Sequence, residues 1–153
     1  MCDQSQPSQT QQSAVRRATR SERIAAAFLA LGCLSVLFIA AWLHADPDGH
    51  GTHTQLGLSE CGWAAYFDAP CATCGMTTSF THAADGQWAT AISTQPFGAA
   101  LALIAATLFW GGLHTAATGS RLGTAAGPLL SSRLLTIAVG MFLIAWAYKW
   151  VTW

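Results

Sequence analysis

The chain is poor in charge. Only 9% of its 153 residues are Asp, Glu, Lys or Arg, where soluble domains carry roughly 25%. The formal net charge is zero, so no global field of one sign draws in nucleic acid or an acidic substrate, and no nucleic-acid partner is expected. Lys and Arg are missing altogether between Ile24 and Ser120, the stretch that holds Asp46, Asp48, Glu60, Asp68 and Asp85. No internal repeat is visible. There is also no strand–helix alternation of the kind on which soluble Cys-x-x-Cys oxidoreductases carry their motif.

What the chain has instead is long apolar runs. Residues 1–23 are Gln/Ser-rich, with Cys2 and four arginines (Arg16, Arg17, Arg20 and Arg23) but almost no large apolar side chains. Such a segment buries too little surface to offset its chain entropy and reads as a disordered basic tail. Residues 24–43 follow without a charge, and at 1.5 Å per residue they make about 30 Å of helix, the thickness of a bilayer core. The run exceeds the roughly 7–15 apolar residues of a secretory signal, and Leu43-His44-Ala45 is a poor cleavage site, so an uncleaved anchor is expected.

A second run covers residues 97–117, with Pro96 suited to the first helical turn. A third covers 134–151. There Lys149 would cost roughly 2.5–3.5 kcal/mol at the bilayer centre, but close to the chain end it can snorkel to the interface beside Trp146, Trp150 and Trp153. The fold class is therefore all-α, an integral membrane protein of three transmembrane helices, with residues 24–153 as one membrane domain and the lipid bilayer as its partner. The arginines ahead of the first span, with Arg121 and Arg133 before the third, place the N-terminus in the cytoplasm. Residues 44–96 then lie outside. His114, near the inner end of the second span, is formally a functional candidate at membrane depth, with an inter-helix hydrogen bond or snorkelling as its plainer role.

The outer segment begins with turn chemistry: Asp-Pro, Asp-Gly and His-Gly pairs. From Met76 the pattern becomes helical, with Met76, Phe80, Ala84, Trp88, Ala91 and Ile92 forming an apolar stripe opposed by Thr77, Thr81, Asp85 and Thr90. Gly86 weakens that helix by about 1 kcal/mol and can split it. It is too short and too polar to span, so it is expected to lie at the interface or to re-enter between the spans.

Chemistry concentrates in the outer cysteines. Cys33 sits inside the first span and reads as a small packing residue, whereas Cys61, Cys71 and Cys74 share the outer segment, where disulfides are allowed. Three readings of these cysteines stay open. In the first, Cys61, Cys71 and Cys74 join His53 as a Cys3His tetrahedron suited to zinc. In the second, Cys71 and Cys74 form a redox dithiol at the start of a helix whose dipole favours thiolate. In the third, Cys61 is bridged to Cys71 or Cys74 and the outer segment is tied down as a lid, worth roughly 3 kcal/mol in the chain-entropy model. In that lid the Thr77, Thr78 and Ser79 hydroxyls cap the helix start or bond its carbonyls. The strip His44, Asp46, Asp48, His50 and His53 can hold a divalent ion weakly, but reads first as a solvated turn. The expected geometry is Cys71 and Cys74 close together and near Cys61, aided by Pro70 and Gly75; the zinc site and the lid require Cys61 there, whereas the dithiol does not.

The run Pro70-Cys71-Ala72-Thr73-Cys74-Gly75-Met76-Thr77, with a cysteine ten residues ahead at Cys61 and a proline-led apolar helix behind, resembles the DUF2752 family. These are small bacterial membrane proteins whose core motif is roughly Pro-Cys-Pro-x-Cys-Gly-Met/Leu-Thr-Arg. The resemblance covers residues 51 to about 117, including Gly51–Leu58 and Asp85-Gly86-Gln87-Trp88. The chain departs from the pattern at Ala72, at Thr78 in place of Arg, and at Gln95-Pro96 in place of Asn-Pro. The resemblance implies a multi-pass protein of the bacterial cytoplasmic (inner) membrane with no assigned activity. The expected function is accordingly a non-enzymatic membrane protein with a Cys-rich outer segment, the alternative being zinc binding or thiol–disulfide redox chemistry. The absent Arg leaves the cysteines without a cation nearby in sequence.

Overall fold

The computed structural model describes residues 17–120 and 132–153. Cys2, Arg16, Arg121 and most of the basic tail lie outside the described residues. All regular structure among those described is helical. Three helices, α1 (Arg20–Trp42), α5 (Pro96–Thr118) and α6 (Ser132–Val151), are long and apolar enough to cross a membrane. Between α1 and α5 lie a 3₁₀ turn (Thr52–Leu56) and the short helices α2 (Gly62–Phe67), α3 (Met76–Ala84) and α4 (Trp88–Thr94).

The first helix begins at Arg20, four residues ahead of the start expected at Ile24, because Thr19 and Glu22 form a reciprocal capping box. Glu22 N–H donates to Thr19 Oγ1 at 3.3 Å and Thr19 N–H donates to Glu22 Oε2 at 2.7 Å, satisfying two of the N–H groups a helix start leaves open. At the same end, Arg23 Nε and Nη2 donate to the Ala116 carbonyl at 3.0 and 2.7 Å. Arg23 Nη2 also reaches the Ala117 carbonyl at 3.2 Å. A cation on the last carbonyls of α5 complements that helix's dipole.

The α1–α5 interface is built from small side chains. A Cβ at Gly112 would stand 2.8 Å from the Ala26 carbonyl oxygen and 3.2 Å from the Ala30 Cβ, so the two backbones touch there. Lipid tails are as apolar as leucine, so helices in a bilayer associate through such close approach rather than by hiding large apolar groups. The rest of the interior follows the same rule. Its apolar cluster is Ala83, Ala91, Ala99 and Ala102 with Phe80 against it, and the largest fully buried side chains are mostly polar, led by Gln95, Thr52 and Thr78.

This overturns part of the stripe expected over residues 76–92: Phe80 and Ala91 stay with the core, but the rest does not. A turn at Asp85–Gln87, with Gly86 at φ 76°, divides it into α3 and α4. Trp88 and Ile92 face outward, 42% and 53% exposed, while Thr78, Ser79 and Thr81 are buried. The hydroxyls do not cap the helix start either. The N-cap is Gly75, which has no side chain to offer. Thr78 Oγ1 pairs with Thr52 Oγ1 at 2.8 Å, and Ser79 Oγ donates to the carbonyls of Ala91 and Gln95 at 2.8 and 3.0 Å. A Cβ at Gly98 would meet Ser79 at 3.1 Å, so α5 lies directly on that hydroxyl. Each such bond in a dry interior is worth about 1 kcal/mol net and more if left unmade. Thus α3 packs against α1 and α5 as well as α4.

The last helix, α6, packs only lightly on α5 along its length; Phe97 and Phe142 meet edge to face with centroids 5.3 Å apart. It is held at its C-terminal end. Trp146 Nε1 donates to the Pro70 carbonyl at 3.3 Å, Tyr148 Oη to Ser93 at 2.9 Å and Lys149 Nζ to Thr94 at 3.5 Å. The end of α6 and the start of α5 therefore share one end of the bundle, and Arg23 marks the other, about 34 Å of α5 away.

Candidate functional site: a three-thiol cleft

The segment before the cysteines folds by its own turn chemistry. Asp46 Oδ1 accepts the Asp48 N–H at 3.0 Å, an Asx turn, and Thr52 Oγ1 accepts the Asp46 N–H at 3.0 Å. Gln55 brackets His44, donating to its carbonyl at 2.6 Å and accepting from its N–H at 3.1 Å. His50 Nδ1 pairs with the Asp48 carbonyl at 2.9 Å, and its ring lies 4.7 Å from that of Trp153. His53 Nε2 lies 3.2 Å from the Ser59 carbonyl.

Each cysteine is then placed by a local constraint. Cys61 is the N-cap of α2. Cys71 opens the turn that follows Pro70; Cys74 N–H donates to the Cys71 carbonyl at 3.0 Å and Met76 N–H to Thr73 at 3.1 Å. Two successive turns need a left-handed residue to release the chain into α3, and Gly75 supplies it at φ 78°. Cys71 Sγ lies 3.6 Å from Thr73 Oγ1.

The result is one group of three thiols. The Cys71 side chain interacts with both Cys61 and Cys74, and all three border a cleft of about 930 Å³. Its apolar lining comes from Val36, Ile39 and Ala40 of α1, Leu43 at its C-cap, and Met76 and Phe80 of α3. Its polar lining includes Asp46, Asp48, Glu60 and Asp68 with His50 and His53. Cys33 does not border the cleft, and the four described cysteines, Cys33, Cys61, Cys71 and Cys74, carry free thiols. The lid disulfide expected from Cys61 is thus not formed in this structure, although its side chain interacts with that of Cys71. The tetrahedral arrangement is not assembled either. Among the described residues no group of three or more His, Cys, Asp or Glu side chains is placed to hold a metal ion, and His53 points to a carbonyl instead.

The thiols are electrostatically unlike. The Ala64 N–H, in the first turn of α2, holds the Cys61 thiol below its ordinary value; burial opposes this, and the Cys71 side chain and the Trp63 N–H add to it. Burial pushes the Cys74 thiol from 9.0 up to about 11, with negative charge at Cys71 adding to the rise and Lys149 opposing it. Since only the thiolate is nucleophilic, Cys61 is expected to be alkylated first and Cys74 last at neutral pH, as read from peptide masses over time. Cys74 reacting ahead of Cys61 would contradict this. The raised value also sets a sign for stability. Between about pH 9 and 11 the folded chain keeps the Cys74 proton that the unfolded chain loses, so stability falls as pH rises through that window.

Lys149 was not visible in the sequence as part of this site. Rather than snorkelling outward it is buried, 7% exposed, with Nζ 3.5 Å from where a Gly75 Cβ would stand and 3.8 Å from that of Gly49. An ionisable residue within a spanning helix is the signal that could have marked it. His82 pairs through Nδ1 with Gln87 Oε1 at 3.1 Å, at the far end of α3 from the thiols, and His114 is exposed on α5. Gln95 Nε2 is a buried donor without a hydrogen-bond partner among the described residues.

The chain has no match among curated proteins or among solved structures. A family model described as "Protein of unknown function (DUF2752)" matches residues 61–110, from Cys61 through both cysteines of the turn, α3 and α4 and into α5. Over that third of the chain the sequence is similar to the DUF2752 family.

Proposed function

We propose that this chain is a thiol–disulfide exchange protein of the bacterial cytoplasmic membrane, with its N-terminus in the cytoplasm and its three-thiol cleft facing outward. The observation that carries the reading is the shared position of Cys71, whose side chain interacts with those of Cys61 and Cys74 where all three border one cleft. One sulfur that can pair with either neighbour is what a relay of exchange requires. The orientation rests on the arginines: Arg17 precedes α1, Arg20 and Arg23 lie in its first turn and Arg133 lies in the first turn of α6, all at the end of the bundle away from the thiols.

In the exchange, Cys61 thiolate attacks a disulfide of an outer-side protein, and one partner sulfur leaves with the bonding electron pair. Cys71 then attacks Cys61 Sγ in the mixed disulfide and releases the second partner sulfur. The partner ends as a dithiol and the chain as a Cys61–Cys71 disulfide. Electrons and protons balance without a further reactant.

Replacing Cys71 by serine removes the resolving thiol, so C71S is expected to accumulate a covalent adduct on Cys61 that reductant dissolves, seen as a shifted band on a non-reducing gel. The same preparation is assayed for metal. About one zinc per chain with no adduct would replace the exchange reading with a structural metal site. The topology has its own check: reporter fusions after residue 60 should read outside and after residue 125 inside, and an outside reading at 125 would overturn the orientation.

A further inference from the structure

A buried ammonium close to a buried thiol is an expensive arrangement to leave without a use. Moving a charge out of water costs several kcal/mol unless it is paired, and among the described residues the hydrogen bond of Lys149 Nζ, at 3.5 Å, goes to the Thr94 carbonyl rather than to a carboxylate. The notch it occupies is cut to admit it. Gly49 and Gly75 both turn through left-handed backbone, at φ 72° and 78°, and side chains there would stand 3.8 and 3.5 Å from Nζ. Gly75 directly follows Cys74, itself only 5% exposed. The lysine reaches this notch because its helix is tied to the same segment at two further carbonyls, Pro70 by Trp146 and Ser93 by Tyr148.

We propose that Lys149 is the positioning cation of the thiol centre: its ammonium, delivered by the third span, stabilises negative charge on Cys74 sulfur and so enables the Cys71–Cys74 arm of the exchange. The proposal rests on the exchange reading above. In this second step Cys74 releases its proton to water, and its thiolate forms a bond to Cys71 Sγ of the Cys61–Cys71 disulfide. Cys61 leaves with the electron pair as a thiolate, which the N–H groups of α2 accommodate. The disulfide has moved inward by one cysteine and Cys61 is free to meet a second partner.

Among the described residues, Lys149 is the cation that acts on the Cys74 thiol. The groups acting on that thiol are Cys71, Lys149 and Cys61, of which only Lys149 favours the thiolate. From the 46–68 segment, Asp46, Asp48, His50, His53, Glu60 and Asp68 border the same cleft, and any negative charge there disfavours a thiolate. The α1 wall, α4 and the first turns of α5 contribute no titratable side chain. The sequence motif that lacks a cation at Thr78 thus gains one from the other end of the chain.

The test is the pH profile of Cys74 alkylation by iodoacetamide, read by peptide mass in the full-length protein in detergent. Relative to wild type, K149Q, which keeps a donor for Thr94, should shift that profile upward by about one pH unit, equivalent to about a tenfold slower reaction at a pH below both midpoints. K149R, which keeps the charge, should restore it, and Y148F, which loosens the helix end but keeps the lysine, should leave it in place. A K149Q profile that coincides with wild type overturns the proposal, as does a Y148F shift as large as that of K149Q. Should K149Q not fold, K149R alone decides: Cys74 must keep its wild-type reactivity, and a loss there overturns the cation role. Failure of the exchange reading is distinguishable, because it shows as absence of the C71S adduct while the alkylation profile is measured without any partner.

Discussion

Gly75→Val should abolish the three-thiol centre and lower the melting temperature by about 10 °C. Two costs combine at this position. Gly75 lies at φ 78°, where a β-branched residue is strained by roughly 1–2 kcal/mol. Its new Cβ would also stand 2.7 Å from the Gly49 carbonyl oxygen, and a backbone oxygen cannot step aside as a flexible side chain can. Together these amount to about 3 kcal/mol or more, which for a chain of this size shifts the midpoint by roughly 2–4 °C per kcal/mol. Gly86→Val supplies the comparison. It carries a similar backbone angle, φ 76°, but nothing lies within 4 Å of its Cβ position, so only the conformational part of the loss should appear. Circular dichroism melts in detergent check both. Equal losses at the two sites would mean that the Gly49 contact contributes nothing.

Gly112→Leu is expected to have an effect of similar size, this time on the scaffold. The Cβ alone would meet the Ala26 carbonyl at 2.8 Å and Ala30 at 3.2 Å, so α1 and α5 must separate before the rest of the side chain is placed. Overpacking of this kind costs about 1–3 kcal/mol, and the upper end is expected because backbone faces backbone. The neighbouring Gly111 has open space around its Cβ. Gly111→Ala should therefore be neutral or stabilising by up to about 1 kcal/mol, the helix-propensity gain. A melt in which both variants behave alike would contradict the close α1–α5 contact.

The spans were readable in the sequence because their signal is local: about twenty apolar residues in a row need no knowledge of the rest of the chain. Pro70 and Gly75 also made the turn at Cys71 and Cys74 legible, the turn that sets both on the cleft Cys61 borders. What the sequence could not convey was direction. The stripe through Phe80, Trp88 and Ile92 looked like a core-facing surface, by the rule for water-soluble helices. In this bundle Thr78, Ser79 and Thr81 point inward and Trp88 and Ile92 outward, because lipid offers apolar side chains no reason to hide while buried hydroxyls can bond backbone carbonyls. Lys149 was misread for a related reason. Snorkelling is the default for a lysine near a helix end, and nothing local shows that two glycines on distant turns leave room for it.

The account's central claim is that Cys71 is the shared member of one thiol centre. Disulfide mapping by peptide mass spectrometry, on full-length protein in detergent treated with a mild thiol oxidant, tests it most directly. The account predicts bridges within the chain from Cys71 to Cys61 or to Cys74, with Cys33 still free. Cys61, Cys71 and Cys74 all remaining free to alkylate, or a bridge joining Cys61 to Cys74 with Cys71 left over, would contradict it.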